Sequence, residues 1–288
     1  MWQRLAGFTW ALLWACGLAA TASWGQSIPG VPLPGKPLQK KFTASVDQLD
    51  EFIDRFNHKD PMFVEAFPNR PQRPLWAERA FLIRTLINPK ARLDPKVVDA
   101  FVKQVSGPPR AIMLNLEDKH WYAALQCRLV YDGKPVVAKL VLGFEQDSNG
   151  VQAWRLRAVQ AAWLAEAGGT PANLAQGRRR GLNPASHGNG FIALHRAFAS
   201  ADRFGDNLSD SATTDAHSFA GLVAAQRLKL ERVTKVVFHF LQVDGYVFSV
   251  ADVTAKEGEP SGYLIGSLAK AGAEAKRKYR QAGLALAR

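Results

Sequence analysis

Residues 121–157 read WYAALQCRLVYDGKPVVAKLVLGFEQDSNGVQAWRLR. Trp121, Ala123, Leu125, Cys127, Leu129 and Tyr131 alternate with a more polar set, the period of a strand with one buried face. Asp132-Gly133 breaks the run, and Val136, Ala138, Leu140, Leu142 and Phe144 resume it. Asn149-Gly150 breaks it again before Trp154 and Leu156, which alternate with Arg155 and Arg157. Asp-Gly and Asn-Gly between alternating runs favour two-residue type I′ turns, whose central residues both need positive φ. Two in succession predict an antiparallel three-stranded meander.

Upstream the period is helical. Val46, Leu49, Phe52, Ile53 and Phe56 predict one helix, and Ala80, Phe81, Ile83, Leu86 and Ile87 a second that Trp76 precedes and staples. Asp94 as N-cap and Pro95 at the first helical position open a third, with Val97, Val98, Phe101, Val102 and Val105 behind them. Downstream the same order returns in shorter form. Phe191, Leu194, His195 and Phe198 suggest a helix, and Asp215 is expected to cap another that runs through Phe219, Leu222, Val223 and Leu228. Strands over 233–243 and 246–253 follow, joined by Asp244-Gly245 as a third tight turn, then a short strand over 262–267 and a basic C-terminal helix with Lys270, Lys276, Arg277, Lys278 and Arg280.

Helices followed by a meander, twice over, predict an α+β protein of two units with curved sheets packed on their helices. The expected units span 43–165 and 190–288. Residues 166–189, with Gly168-Gly169, Pro171, Arg178-Arg179-Arg180, Pro184 and Gly188, read as the linker between them. Whether the halves pack as one body is left open. One face of each sheet is expected to meet helices and the other to stay open or line a cavity.

The N-terminus reads as an export signal over 1–22. Arg4 supplies the positive region, residues 5–20 are uncharged and mostly apolar, and Ala20-Thr21-Ala22 places small residues at a cleavage site. Leu13-Trp14-Ala15-Cys16 offers a lipoprotein route through Cys16 as an alternative. Pro29, Pro32, Pro34 and Pro37 make 23–42 an extended spacer. The expected location is periplasmic or secreted, with no membrane-spanning segment after cleavage. Cleavage leaves Cys127 as the only thiol, which its place in the apolar row assigns to the core.

The 288-residue chain carries a formal net charge of +12, or +11 without Arg4. That balance favours an anionic envelope component or another envelope protein as partner; nucleic acid is not expected. Arg155 and Arg157 share one strand face, beside Arg128 and Lys139 on neighbouring strands, and form a candidate anion-binding surface. The histidines show no metal-ligand spacing and there is no CxxC, so neither metal nor cofactor is expected. His187, His195, Asp215 and His217 would have to converge in space to make a hydrolase. Ser267-Leu268-Ala269-Lys270 matches S-x-x-K, without the K-T-G that accompanies that motif in penicillin-recognising enzymes.

The element order of the first half resembles the cystatin-like and nuclear-transport-factor-2-like architecture. Phe238-His239-Phe240-Leu241-Gln242-Val243-Asp244-Gly245-Tyr246, continuing to Ser261-Gly262-Tyr263-Leu264-Ile265, is similar to the closing hairpin of exported bacterial proteins, and Phe52-Ile53-Asp54-Arg55-Phe56-Asn57 to their opening helix. The resemblance implies an envelope protein and carries over no catalytic residue. The resulting expectation is a non-enzymatic binding or interaction protein of the bacterial envelope. A hydrolase and a scaffold subunit of a surface or secretion assembly are the alternatives.

Overall fold

Six strands form one antiparallel sheet: β1 (Trp121–Tyr131), β2 (Lys134–Gln146), β3 (Gln152–Gln160), β4 (Leu228–Phe240), β5 (Tyr246–Val253) and β6 (Gly262–Lys270). Their order is β3-β2-β1-β4-β5-β6. The computed structural model describes residues 46–59, 75–108, 111–147, 150–168, 180–253 and 261–287. The chain divides into units 1–35 and 36–288, and everything described lies in the second. The expected signal, the spacer, Cys16, Arg178 and Arg179 fall outside the described residues. No helix among the described residues is long and apolar enough to cross a membrane.

The α+β class is as expected, and the two meanders belong to one sheet. Each meander is antiparallel within itself, and β1 pairs with β4 along its whole length, from Trp121 opposite Phe240 to Tyr131 opposite Leu228. The helices α1 (Leu49–Phe56), α2 (Leu75–Thr85) and α3 (Pro95–Ser106) precede the first meander, yet α1 and α3 pack on the second. Phe56 of α1 lies parallel to Phe248 of β5 at 6.2 Å, and Phe101 of α3 meets Tyr246 and Phe248 edge-on at 5.2 and 5.5 Å. Conversely, α4 (Ala193–Ala199) and α5 (Thr214–Ala224) precede the second meander, and α5 packs on β3 as well as β4. Phe191, just before α4, meets Trp154 of β3 at 5.3 Å.

The sheet edges are closed by the same exchange. Val46 and Ile87, from the first half, bridge to Gly262 and Ile265 on β6; Leu182, from the expected linker, and Leu208, from the second half, bridge to Trp154 and Leu156 on β3. Short pairings of this kind keep an edge from recruiting another chain. Gly262 takes a φ of 87° and lets the Val46 backbone come so near that a Cβ would collide with it. The expected linker is therefore largely structure where it is described. Leu182 is buried, 184–189 forms a 3₁₀ turn under the Asn183 side chain, and Ser186 and His187 are buried. Two of its described glycines, Gly168 and Gly181, have positive φ; Gly169 and Pro171 lie outside the described residues.

Turn chemistry explains the hairpins and their exceptions. Asp132 and Gly133 have φ of 45° and 82° between paired Tyr131 and Lys134, a two-residue turn as predicted. Asn149 of the second expected turn lies outside the described residues; beside it the Asp147 N–H donates to the Val151 carbonyl at 3.0 Å and Gly150 has positive φ. The β4–β5 link, 241–245, contains the expected tight turn at Asp244-Gly245, closed by the Tyr246 N–H donating to the Val243 carbonyl at 3.2 Å, and only Gly245 of the two has positive φ.

Among the helices, the Asp94 carboxylate caps α3 by accepting from Lys96 N–H at 2.9 Å. Thr213, not Asp215, caps α5, and Asp215 sits in its first turn. Leu228 and Lys270 lie in strands, not in the helices the periodicity suggested. Trp76 lies within α2 and is exposed. The C-terminal helix α6 (Ala273–Lys278) is a single short element that runs into a π turn at Tyr279–Gly283.

Because each half lacks its own helical cover, 36–168 and 180–288 purified apart are expected to show no cooperative thermal unfolding, and to regain it when mixed. Cooperative melting of either piece alone would contradict the exchange. Phe56→Ala, which removes a ring buried between α1, α3 and β5, should cost about 3–5 kcal/mol in urea unfolding.

Candidate functional site

The two faces of the sheet differ in kind. Toward α1–α5 the face is filled by Trp121, Leu125, Cys127, Phe144, Trp154, Phe238, Phe240 and Phe248, all buried. On the opposite face Leu284 and Leu286 of the C-terminal tail cover Tyr122, Ala124, Val141 and Val247. The remainder of that face is open, and its shape and charge come from β1, β2 and β4.

On β1, Gln126, Arg128 and Val130 point to the open face, since Leu125, Cys127 and Leu129 point to the core. Opposite them on β4 lie Lys235, Arg232 and Lys229. Residues three apart in a regular strand alternate faces, so a bulge is needed at each step. The register shifts between Gln126 and Cys127 and between Arg128 and Leu129 supply them, leaving Thr234 and Glu231 as the extra residues. The Thr234 hydroxyl anchors its bulge by donating to the Gln126 carbonyl at 3.0 Å. From β2, Lys139 stands beside Gln126 and Val137 beside Arg128. Arg128 faces Glu231 at 3.8 Å, and Lys139 donates to the Gly283 carbonyl at 3.2 Å. No carboxylate among the described residues pairs with Lys229, Arg232 or Lys235.

At the tail end of this basic strip lies a groove of about 490 Å³, lined by Ala124, Gln126, Val137, Lys139, Lys235, Val237 and His239 among others. Gln160, Lys139, Gln126 and Lys235 form one row across four strands. Strands lie about 4.8 Å apart, so the two lysines leave the sheet about 10 Å apart. His239 closes one end through a 2.6 Å hydrogen bond between its Nδ1 and the Tyr279 hydroxyl. Burial, and then the charge of Lys139, holds the His239 imidazole down to about 4, so it is neutral near pH 7. Burial also lowers the Lys139 ammonium and raises the Tyr279 phenol. Lys276 fastens the covering helix by donating to the Leu241 and Val243 carbonyls, each at 2.7 Å.

The four predicted anion-binding residues split into pairs. Arg128 and Lys139 belong to the open strip. Arg155 and Arg157 lie further along the same face and are absorbed by the protein itself. Glu145 approaches Arg155 at 3.9 Å and Arg157 at 3.5 Å, and also accepts from the Ser209 hydroxyl at 2.6 Å. Arg157 is the extra residue of a β2–β3 bulge; its aliphatic chain crosses Gly143, and its guanidinium reaches Ser211 and lies over Tyr122. Lys229, Arg232 and Lys235 were not legible as a set, because the period-two pattern puts Arg232 on the other side and the bulges leave no mark in the sequence.

The expected hydrolytic quartet is not gathered. His187 is held by the Pro184 carbonyl at 2.8 Å and by Asp50 of α1 at 3.0 Å, against Trp121. His195 is exposed on α4, while Asp215 and His217 lie on α5. Among the described residues no group of three or more His, Cys, Asp or Glu side chains is placed to hold a metal ion. The S-x-x-K match lies on β6, where Ser267 and Lys270 point to opposite faces, and Ser267 hydrogen-bonds Ser249 at 2.6 Å. Cys127 is fully buried, which pushes its thiol up to about 12.

Two outcomes follow. An unfolded His239 takes up a proton near pH 6.5 that the folded one refuses until about 4, so stability is lost as pH falls through that window, by at most about 3 kcal/mol. Urea unfolding from pH 7 to 4 should show a smaller loss for His239→Gln than for the parent; identical curves would refute the burial argument. Cys127 should resist alkylation at pH 8 in the native protein and react once unfolded.

No family model, curated protein or solved structure matches the chain, so the site stands on its own geometry.

Proposed function

We propose that this chain is a non-enzymatic binding protein of the bacterial envelope, periplasmic or secreted, whose open sheet face captures an anionic partner. The observation that carries the reading is the pair of bulges in β4, which turns Lys229, Arg232 and Lys235 onto one face beside Arg128 and Lys139. Bulges cost ladder hydrogen bonds, and a strand that spends two of them aligning cations gains a surface. Among the described residues, five cations against the carboxylate of Glu231 make a field that attracts anions from a distance and weakens with salt. The polar groups elsewhere that could do chemistry, Ser209, Glu145, Arg155 and Arg157, are occupied with one another. The export signal and the net positive charge read from the sequence agree with an anionic envelope component as the partner.

The test is binding of inorganic polyphosphate, with uncharged dextran as control. Affinity for polyphosphate should fall steeply between about 50 and 300 mM salt, and dextran should not bind. Arg232→Glu with Lys235→Glu should weaken binding at least about tenfold, since each removes an attraction and adds a repulsion. Unchanged affinity in that double variant, with Arg155→Ala and Arg157→Ala weakening it instead, would move the site to the other end of the face.

A further inference from the structure

We infer that the groove beside His239 is a subsite for an anionic amphiphile, an acyl chain that ends in a phosphate or carboxylate. The inference rests on the basic-face reading and gives its ligand an apolar part. The groove floor is mostly apolar: Val137 lies at one end and Ala124 and Val237 at the other, with the Gln126 amide between the two lysines. Val137 is 53 % exposed in mid-strand, on a protein whose other face buries its strand residues almost completely. Ala124 already lies under Leu284 and Leu286, so the groove continues a strip that accepts the chain's own leucines. The tail covers the near end of that strip and leaves Val237 half-buried at its margin, while Val137 lies exposed beyond Gln126. A simple polyanion would leave both valines wet, and a neutral lipid would leave the lysines unanswered. An occupant that meets both has an apolar body along the floor and a negative head at Lys139 or Lys235.

His239 and Tyr279 bear on the head group's place. They are hydrogen-bonded to each other at the tail end, where Lys139 is the charged side chain that acts on His239. The acyl chain therefore runs toward this closed, neutral end, and the head lies toward Lys235 and Arg232 on the open strip.

The probe is dodecyl phosphate below its micellar concentration, titrated calorimetrically into the full chain. Butyl phosphate carries the same head without the chain, dodecyl maltoside the chain without the charge, and dodecanoate tells a carboxylate source from a phosphate one. One-site binding is expected for dodecyl phosphate or dodecanoate, at least about tenfold tighter than for butyl phosphate, since each buried methylene contributes about 0.8 kcal/mol. Val137→Asn should abolish that preference and leave polyphosphate binding unchanged, whereas Lys235→Glu should weaken both. Methyl NMR shifts in the parent protein give a readout free of any variant: they should move at Val137 and Val237 and stay still at Leu284 and Leu286. Equal affinity for dodecyl and butyl phosphate, or equal binding of dodecyl maltoside, overturns the amphiphile subsite. In the first case polyphosphate binding still reports separately on the basic face. Failure of both probes removes both.

Discussion

Trp121 of β1 lies almost parallel to Phe240 of β4, with ring planes 11° apart and centres at 5.7 Å, and Trp154 meets the same indole edge-on at 4.6 Å. This cluster sits on the seam where the two meanders join. Its polar edges are satisfied from outside the sheet: the Trp121 indole donates to the Leu116 carbonyl and that of Trp154 to Pro184, each at 3.0 Å. Phe52 of α1 reaches Phe240 from one side, and His187, held by Asp50 of α1, leans on Trp121 from the other. Elements from both halves of the sequence thus depend on one buried aromatic layer. Neither meander can keep a dry face unless β1 and β4 are paired, because the rings that cover each come from across the seam.

That arrangement also explains why the second face is available. All five described helices before the last strand are used on the first face, where they bury its aromatic residues. Among the described residues, what is left for the other face is one short helix and a tail, secured by Lys276 and by Lys139, and these cover less than the whole. The exposed remainder would ordinarily be a mixed polar surface. Here two bulges gather cations on it, and valines are left beside them. The Lys and Arg side chains together with the bulges also make β4 a poor template for another strand, which suits a face kept open for a ligand.

Much of this was legible in the sequence. Alternation fixed the strands and the buried row of Leu125, Cys127 and Leu129, because a strand side chain has only two directions. Asp132-Gly133 declared its turn, because few other pairs accept positive φ twice, and Asp94-Pro95 declared the start of α3. Arg128 and Lys139 were correctly placed on an outer face. The sequence could also count its cations, but not say which were already answered.

What only the tertiary structure decided is everything that depends on contacts between distant segments. The repeat of helices and meanders predicts two units equally well as one; which helix covers which strands is set by shape at the β1–β4 seam, and local periodicity carries no trace of it. The bulges at Glu231 and Thr234 arise where two strands of unequal length must stay in register, a property of the pair and of neither strand alone. Glu145 neutralises Arg155 and Arg157 because the β2–β3 hairpin and the Ser209 turn bring them together, and this made the most obvious cationic pair in the sequence the least available. The basic face is therefore written in the composition, but its position was settled by pairing and packing.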